Sequence, residues 1–179
     1  MKNFLLMAFF AVLTGIGGLL SIPLPPVPFT MQTFVVMMSG LLLGPKFGPL
    51  SQVFYIVMGL IGIPVFAGGV GGLQTIFSPT FGFLLGFILQ SWIAGFLAQK
   101  AKTFPHYCLV CLAATVGLYA VGLPLFCVTL NFVIGTDISL TSTFKLALLP
   151  FVVPDLLKAA AAGWLAFCTV PVLKDAKLL

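Results

Sequence analysis

Eight Lys and three Asp carry all the permanent charge on the side chains of this 179-residue chain, which has no Arg and no Glu. With 6% charged and 61% hydrophobic residues, against roughly 25% charged in a soluble domain, it cannot clothe itself in hydrated surface. It is therefore predicted to be an integral membrane protein. In lipid, every backbone polar group must be satisfied internally, which leaves helices or a closed barrel. The apolar runs do not alternate with polar residues, and most are long enough for a helical crossing, which takes roughly 20 residues. The expected fold class is all-α, a single membrane domain over residues 1–179. Six spans are predicted, at about 4–20, 31–43, 49–65, 81–97, 107–129 and 154–169.

The connections narrow the reading. The N-terminal "MKNFLLMAFFAVLTGIGGLL" has the outline of a signal peptide but lacks a small-x-small cleavage site, so it is read as a retained first span. Within it Ala11 and Gly15, then Thr14 and Gly18, form small-xxx-small pairs that allow close helix approach, either inside the bundle or onto another subunit. "SIPLPPVPFTMQT" places Pro23, Pro25, Pro26 and Pro28 where no regular helix can form. The short second span is expected to be completed by part of this segment. "GPKFG" (44–48) reads as a tight turn. "AGGVGGLQTIFSPT" (67–80) puts four Gly in six positions, as in a flexible connector or a backbone that must approach a ligand. Residues 131–149 form the longest polar connection, and Pro154 opens the last span in the first-turn position that proline tolerates.

Lysine placement orients the chain. Lys2, Lys46, Lys100, Lys102, Lys174 and Lys177 fall on one side of a six-span arrangement, and only Lys145, with Asp137, on the other. Positively charged short segments remain inside, so both termini are expected in the cytoplasm. The proline loop, the glycine loop and residues 131–149 then share the outer face. The excess of Lys reflects topology rather than affinity for nucleic acid.

Two charges fall inside a predicted span. Asp155 and Lys158, in "PFVVPDLLKAAAAGWLAF" (150–167), lie one helical turn apart on one face. Ionisable groups at membrane depth usually mark a pathway or a ligand site; the bland reading, a neutralised staple, gains little because desolvation can cancel the attraction. A carboxylate accepts from N–H groups and an ammonium donates to a carbonyl or an anion. Side by side, they suit a ligand that shows N–H and C=O together, such as a cyclic urea, in an otherwise apolar pocket. No catalytic constellation accompanies them: the single His, His106, falls in a connection, and no nucleotide-binding or metal-binding motif is present. "CLVC" (108–111) has the spacing of a redox or metal pair but stands alone, and its cysteines are read as small apolar residues. No cofactor and no metal are predicted, and the chain is read as a non-enzyme.

"PPVPFTMQT", "LLLGPKFGPLS", "GLIGIPVFAGGVGGL", "SPTFGFLLGF" and "PFVVPDLLKAAAAG", in this order over about residues 22–165, together resemble the BioY family. These are the biotin-specific substrate-binding (S) components of energy-coupling-factor (ECF) transporters. The resemblance implies six membrane helices, capture of biotin from outside, and delivery inward with a transmembrane coupling (T) subunit and two ATP-binding subunits in a prokaryotic cell membrane. It assigns Asp155 and Lys158 to the ureido ring and makes Gln32 a further polar contact. Gly68, Gly69, Gly71 and Gly72 become the loop lining or covering the pocket. Gln74 is a substitute contact, because Val70 stands where some relatives are polar. Ala11 and Gly15 match the coupling-subunit contact. Tyr119 and Asn131 are weaker candidates, more readily read as helix packing. What holds the biotin carboxylate is left open, since there is no Arg.

The alternatives are an S component for another vitamin and a solitary gradient-driven transporter with Asp155 as proton relay. Thiamin is disfavoured, because a cation would call for more acids than one paired with a lysine.

Overall fold

The computed structural model describes residues 1–175, without the side chains of Lys174 and Asp175; Lys177 lies outside the described residues. The fold is all-helical, with five helices or helical runs long and apolar enough to cross a membrane. In chain order the elements are α1 (Lys2–Leu19), β1 (Ser21–Ile22), β2 (Phe29–Thr30), α2 (Gln32–Leu60), α3 (Phe81–Ala98), α4 (Phe104–Val128), α5 (Leu140–Ala147) and α6 (Val152–Asp175).

α2 is not one straight rod. Gly44 adopts φ +76°, ψ −176°, a backbone region open essentially to glycine alone. Pro45 then restarts the helix in the position where its missing N–H costs nothing. A straight helix would separate residues 32 and 55 by about 35 Å, at 1.5 Å per residue. Instead the Gln32 side chain donates to the Tyr55 hydroxyl, and Gln52 donates to Ser39 Oγ at 3.0 Å. The two arms, 32–43 and 45–60, therefore lie antiparallel. The expected five-residue turn at 44–48 is corrected to a reversal at one glycine, and the second arm ends at Leu60 rather than near 65.

Small residues set the remaining contacts. A side chain on Gly86 would meet the Leu118 carbonyl oxygen at 2.9 Å, and one on Gly82 would meet Leu125, so α3 and α4 run antiparallel. Gly163 of α6 packs on Cys108 of α4 in the same sense. A buried polar thread crosses the bundle between these apolar layers. Thr14 donates to Gln52 Oε1 at 3.3 Å, Gln52 also bonds Ser51, and Ser39 pairs with Ser91 at 2.9 Å. Each side chain of this thread thus has a partner, as burial in lipid demands.

Two expectations for the connections change. The proline segment does not lengthen the second span. It forms a short antiparallel hairpin in which Ser21 faces Thr30 and Ile22 faces Phe29. Residues 131–149 are not simply a polar loop either: they contain part of a π-helical turn (Thr129–Ile134) and the whole of α5. Asn131 is structural here, since its side chain accepts from Ile138 N at 2.6 Å and donates to Ile138 O at 3.0 Å.

Candidate functional site

One end of the bundle opens into a cavity of about 440 Å³, lined by the 21–31 hairpin, the loop after α2, and the adjoining ends of α2, α3, α4 and α6. The structure brings Asp155 and Lys158 together at this cavity. Both side chains line the cavity at only 6% exposure, with Lys158 Nζ 3.0 Å from Asp155 Oδ1. α6 begins at Val152, two residues before the start expected at Pro154. Pro154 lies in the first turn, where its missing N–H costs no intrahelical bond, and Asp155 beside it complements the positive end of the helix dipole.

Neighbouring elements hold the pair. Thr33, from the first turn of α2, accepts from Lys158 Nζ at 3.0 Å and donates to Asp155 Oδ1 at 3.4 Å. Tyr119 of α4 donates its hydroxyl proton to Asp155 Oδ2. Lys158 Nζ also sits 4.2 Å from the centroid of the Phe29 ring on β2, a cation–π contact that strengthens as water is excluded. The carboxylate thus accepts three hydrogen bonds and has room for about one more. The ammonium has its weakest partner, an aromatic face, on the third side. An acceptor and a donor, side by side and out of bulk water, are offered to whatever fills the cavity.

Most of the remaining lining is apolar, including Val27, Phe66, Phe83, Leu84, Phe87 and Phe151. Such a wall excludes water and makes each polar contact count for more. Gln32 lines the cavity, with its amide nitrogen directed to Tyr55 and its oxygen accepting from Thr30 at 3.2 Å. Gln74 also lines it and donates to Gly71 O at 2.6 Å.

Two sets of expected residues fall elsewhere. None of Gly68, Gly69, Gly71 and Gly72 lines the cavity; Phe66, Ala67 and Val70 of the same loop do. The glycines instead let the loop turn, with positive φ at 68, 69 and 72. A side chain on Gly71 would lie 2.4 Å from Ile63 O. Ala11 and Gly15 are corrected as well. Ala11 is 1% exposed, and a side chain on Gly15 would press on Val65 at 3.2 Å. These small residues seat α1 against its own bundle, while Phe9, Val12, Ile16 and Leu19 face outward.

Thr33, Phe29 and the full role of Tyr119 were missed in the sequence. One signal existed for Tyr119: a phenol within an apolar span needs a hydrogen-bond partner, and Asp155 is the one acid in the spans. Thr33 offered none beyond its place next to Gln32.

Comparison with known proteins gives one consistent result. The family model described as "BioY family" matches residues 1–175. A protein of Thermotoga maritima named biotin transporter BioY is 37% identical over 166 residues, covering 93% of this chain and 94% of that one. A Pyrococcus horikoshii protein named probable biotin transporter BioY is 38% identical over 161 residues, 90% of this chain and 91% of that one. Among solved structures, the crystal structure of the S-component for biotin from an ECF-type ABC transporter superposes with a TM-score of 0.81. It is 27% identical and covers 95% of this chain and 91% of that chain.

Proposed function

The chain belongs to the BioY family, and from that premise we propose that it captures biotin as the S component of an ECF transporter, a transport subunit and not an enzyme. The observation that carries this is the buried Asp155–Lys158 pair at the wall of a mainly apolar cavity at one end of the bundle. The ureido ring offers two N–H donors flanking a carbonyl. Asp155 has an acceptor site to spare for an N–H, and Lys158 can exchange the Phe29 face for the carbonyl oxygen. The phenyl rings of Phe83 and Phe87 suit the sulfur-containing ring and the alkyl tail.

The whole chain is read as one membrane domain that crosses the bilayer six times, the two arms of α2 counting as separate crossings. The cavity end faces outward and both termini lie in the cytoplasm. This is supported by Lys2, Gly44, Pro45 and Gln99, which together line a smaller recess of about 300 Å³ that contains none of the main cavity's residues. The turns bearing Lys46 and Lys100 adjoin it, in keeping with the positive-inside rule. A T subunit and two ATP-binding subunits would supply the energy, since the chain carries no nucleotide-binding motif. In proteoliposomes, biotin accumulation is expected only when those subunits and ATP are present. Accumulation by this chain alone, driven by a proton gradient, would instead establish a solitary transporter with Asp155 as the relay.

A further inference from the structure

A chain of hydrogen bonds behind the cavity wall joins two segments that line it. Thr30 of β2 donates to Gln32 Oε1 at 3.2 Å, Gln32 Nε2 donates to the Tyr55 hydroxyl, and that hydroxyl donates to Val65 O at 3.3 Å. Thr30 and Gln32 line the cavity on the hairpin side; Phe66 and Ala67, directly after Val65, line it on the loop side. Tyr55 is fully buried and does not line the cavity at all. Its hydroxyl is therefore beyond a ligand's reach, and both of its bonds tie the hairpin to the loop.

The packing is shaped around this chain. The Tyr55 ring meets Phe66 edge-on, with centroids 5.5 Å apart. Phe66 in turn lies on Gly59, where an added side chain would come within 2.0 Å of the ring. On α1, a side chain at Gly18 would lie 2.9 Å from Gln32 Nε2 and 3.0 Å from Val65 O. Gly18, one member of the small-residue pattern in α1, thus leaves the space that these hydrogen bonds occupy. The far end of the loop is fixed separately, by Gly72 N donating to Gly59 O at 2.7 Å. Its entry at Val65 depends on Tyr55.

We propose that Gln32 and Tyr55 are positioning residues whose hydrogen bond locks the loop wall of Phe66, Ala67 and Val70 at the spacing from the hairpin that the substrate requires. This rests on the reading that biotin occupies the cavity. Gln32 then acts on affinity through Tyr55 and not by touching the ligand. A loop released at Val65 samples open arrangements, and the apparent affinity falls with the fraction of molecules that remain closed.

Two measurements on the purified full chain test it. Tyr55→Phe keeps the ring packing and deletes only the hydroxyl; Gln32→Met keeps the bulk and deletes the amide. In calorimetry each is expected to weaken biotin about tenfold, the scale of one hydrogen bond. The double variant should be no weaker than either single, because one chain is broken in all three. Hydrogen exchange on the unliganded proteins reads the loop directly: peptides over 65–72 should exchange several-fold faster in either variant, while those from α3 and α4 match the parent. Biotin affinity unchanged in Tyr55→Phe overturns the proposal, and so does unchanged exchange over 65–72. Losses that add in the double variant would make Gln32 a ligand contact, and faster exchange throughout the bundle would mark a general packing defect; either overturns it too. A parent that binds no biotin sinks the functional reading instead, and exchange over 65–72 still decides whether the lock exists.

Discussion

Lys158→Met and Asp155→Asn should each lower biotin affinity at least about 100-fold, yet combining them should restore much of the stability that Lys158→Met loses. Lys158→Met leaves Asp155 as an uncompensated buried acid, and breaking such a pair costs about 3–5 kcal/mol. Asp155→Asn keeps an oxygen acceptor for Thr33 but strands the ammonium against the Phe29 ring. Each change also removes a hydrogen bond between ligand and charge, worth about 1.5–3 kcal/mol, and disturbs the other partner. The double variant removes both charges together, a change that is often neutral for folding. Thermal unfolding read beside biotin binding separates the roles. Stability that recovers while binding stays lost is the expected outcome. Binding that recovers with stability would return the pair to a staple.

The second large effect concerns packing. A methyl group on Gly40 would lie 2.2 Å from the Ser91 carbonyl oxygen and 3.0 Å from the Gly95 nitrogen. Both obstacles are backbone, so Gly40→Ala can be accommodated only by parting α2 from α3. That separation would also strain the Ser39–Ser91 hydrogen bond and the Gln52 contact that ties the two arms together. Overpacking typically costs 1–3 kcal/mol, and a loss of about 3 kcal/mol is expected here. Thermal unfolding in detergent checks it against Val116→Ala, whose side chain is 68% exposed on the outer surface and should change little. An unaltered midpoint for Gly40→Ala would show that this contact yields more easily than its geometry implies.

Much of this architecture was legible because lipid imposes strong rules. Apolar runs located the helices at α1, α3 and α4 to within a few residues, and the cost of charge at depth singled out Asp155 and Lys158. The departures share a cause: they depend on what a residue meets in space. Gly44 looked like one member of a five-residue turn, but a single left-handed residue followed by Pro45 suffices to reverse the chain. Ala11 and Gly15 had the right spacing for docking, yet spacing does not say which neighbour fills the groove, and here it is Val65. The four loop glycines signalled unusual backbone correctly; the side chains that the loop presents to the cavity are their neighbours Phe66, Ala67 and Val70. Thr33 lies 122 residues from Asp155 in sequence, a pairing that no local pattern announces.

The measurement that tests the central claim most directly is titration of biotin into the detergent-purified, monodisperse parent chain, with thiamin as the comparison. Saturable one-to-one binding of biotin and none of thiamin is the predicted result. Absence of biotin binding by a chain that still unfolds cooperatively would contradict the assignment of the Asp155–Lys158 cavity to biotin.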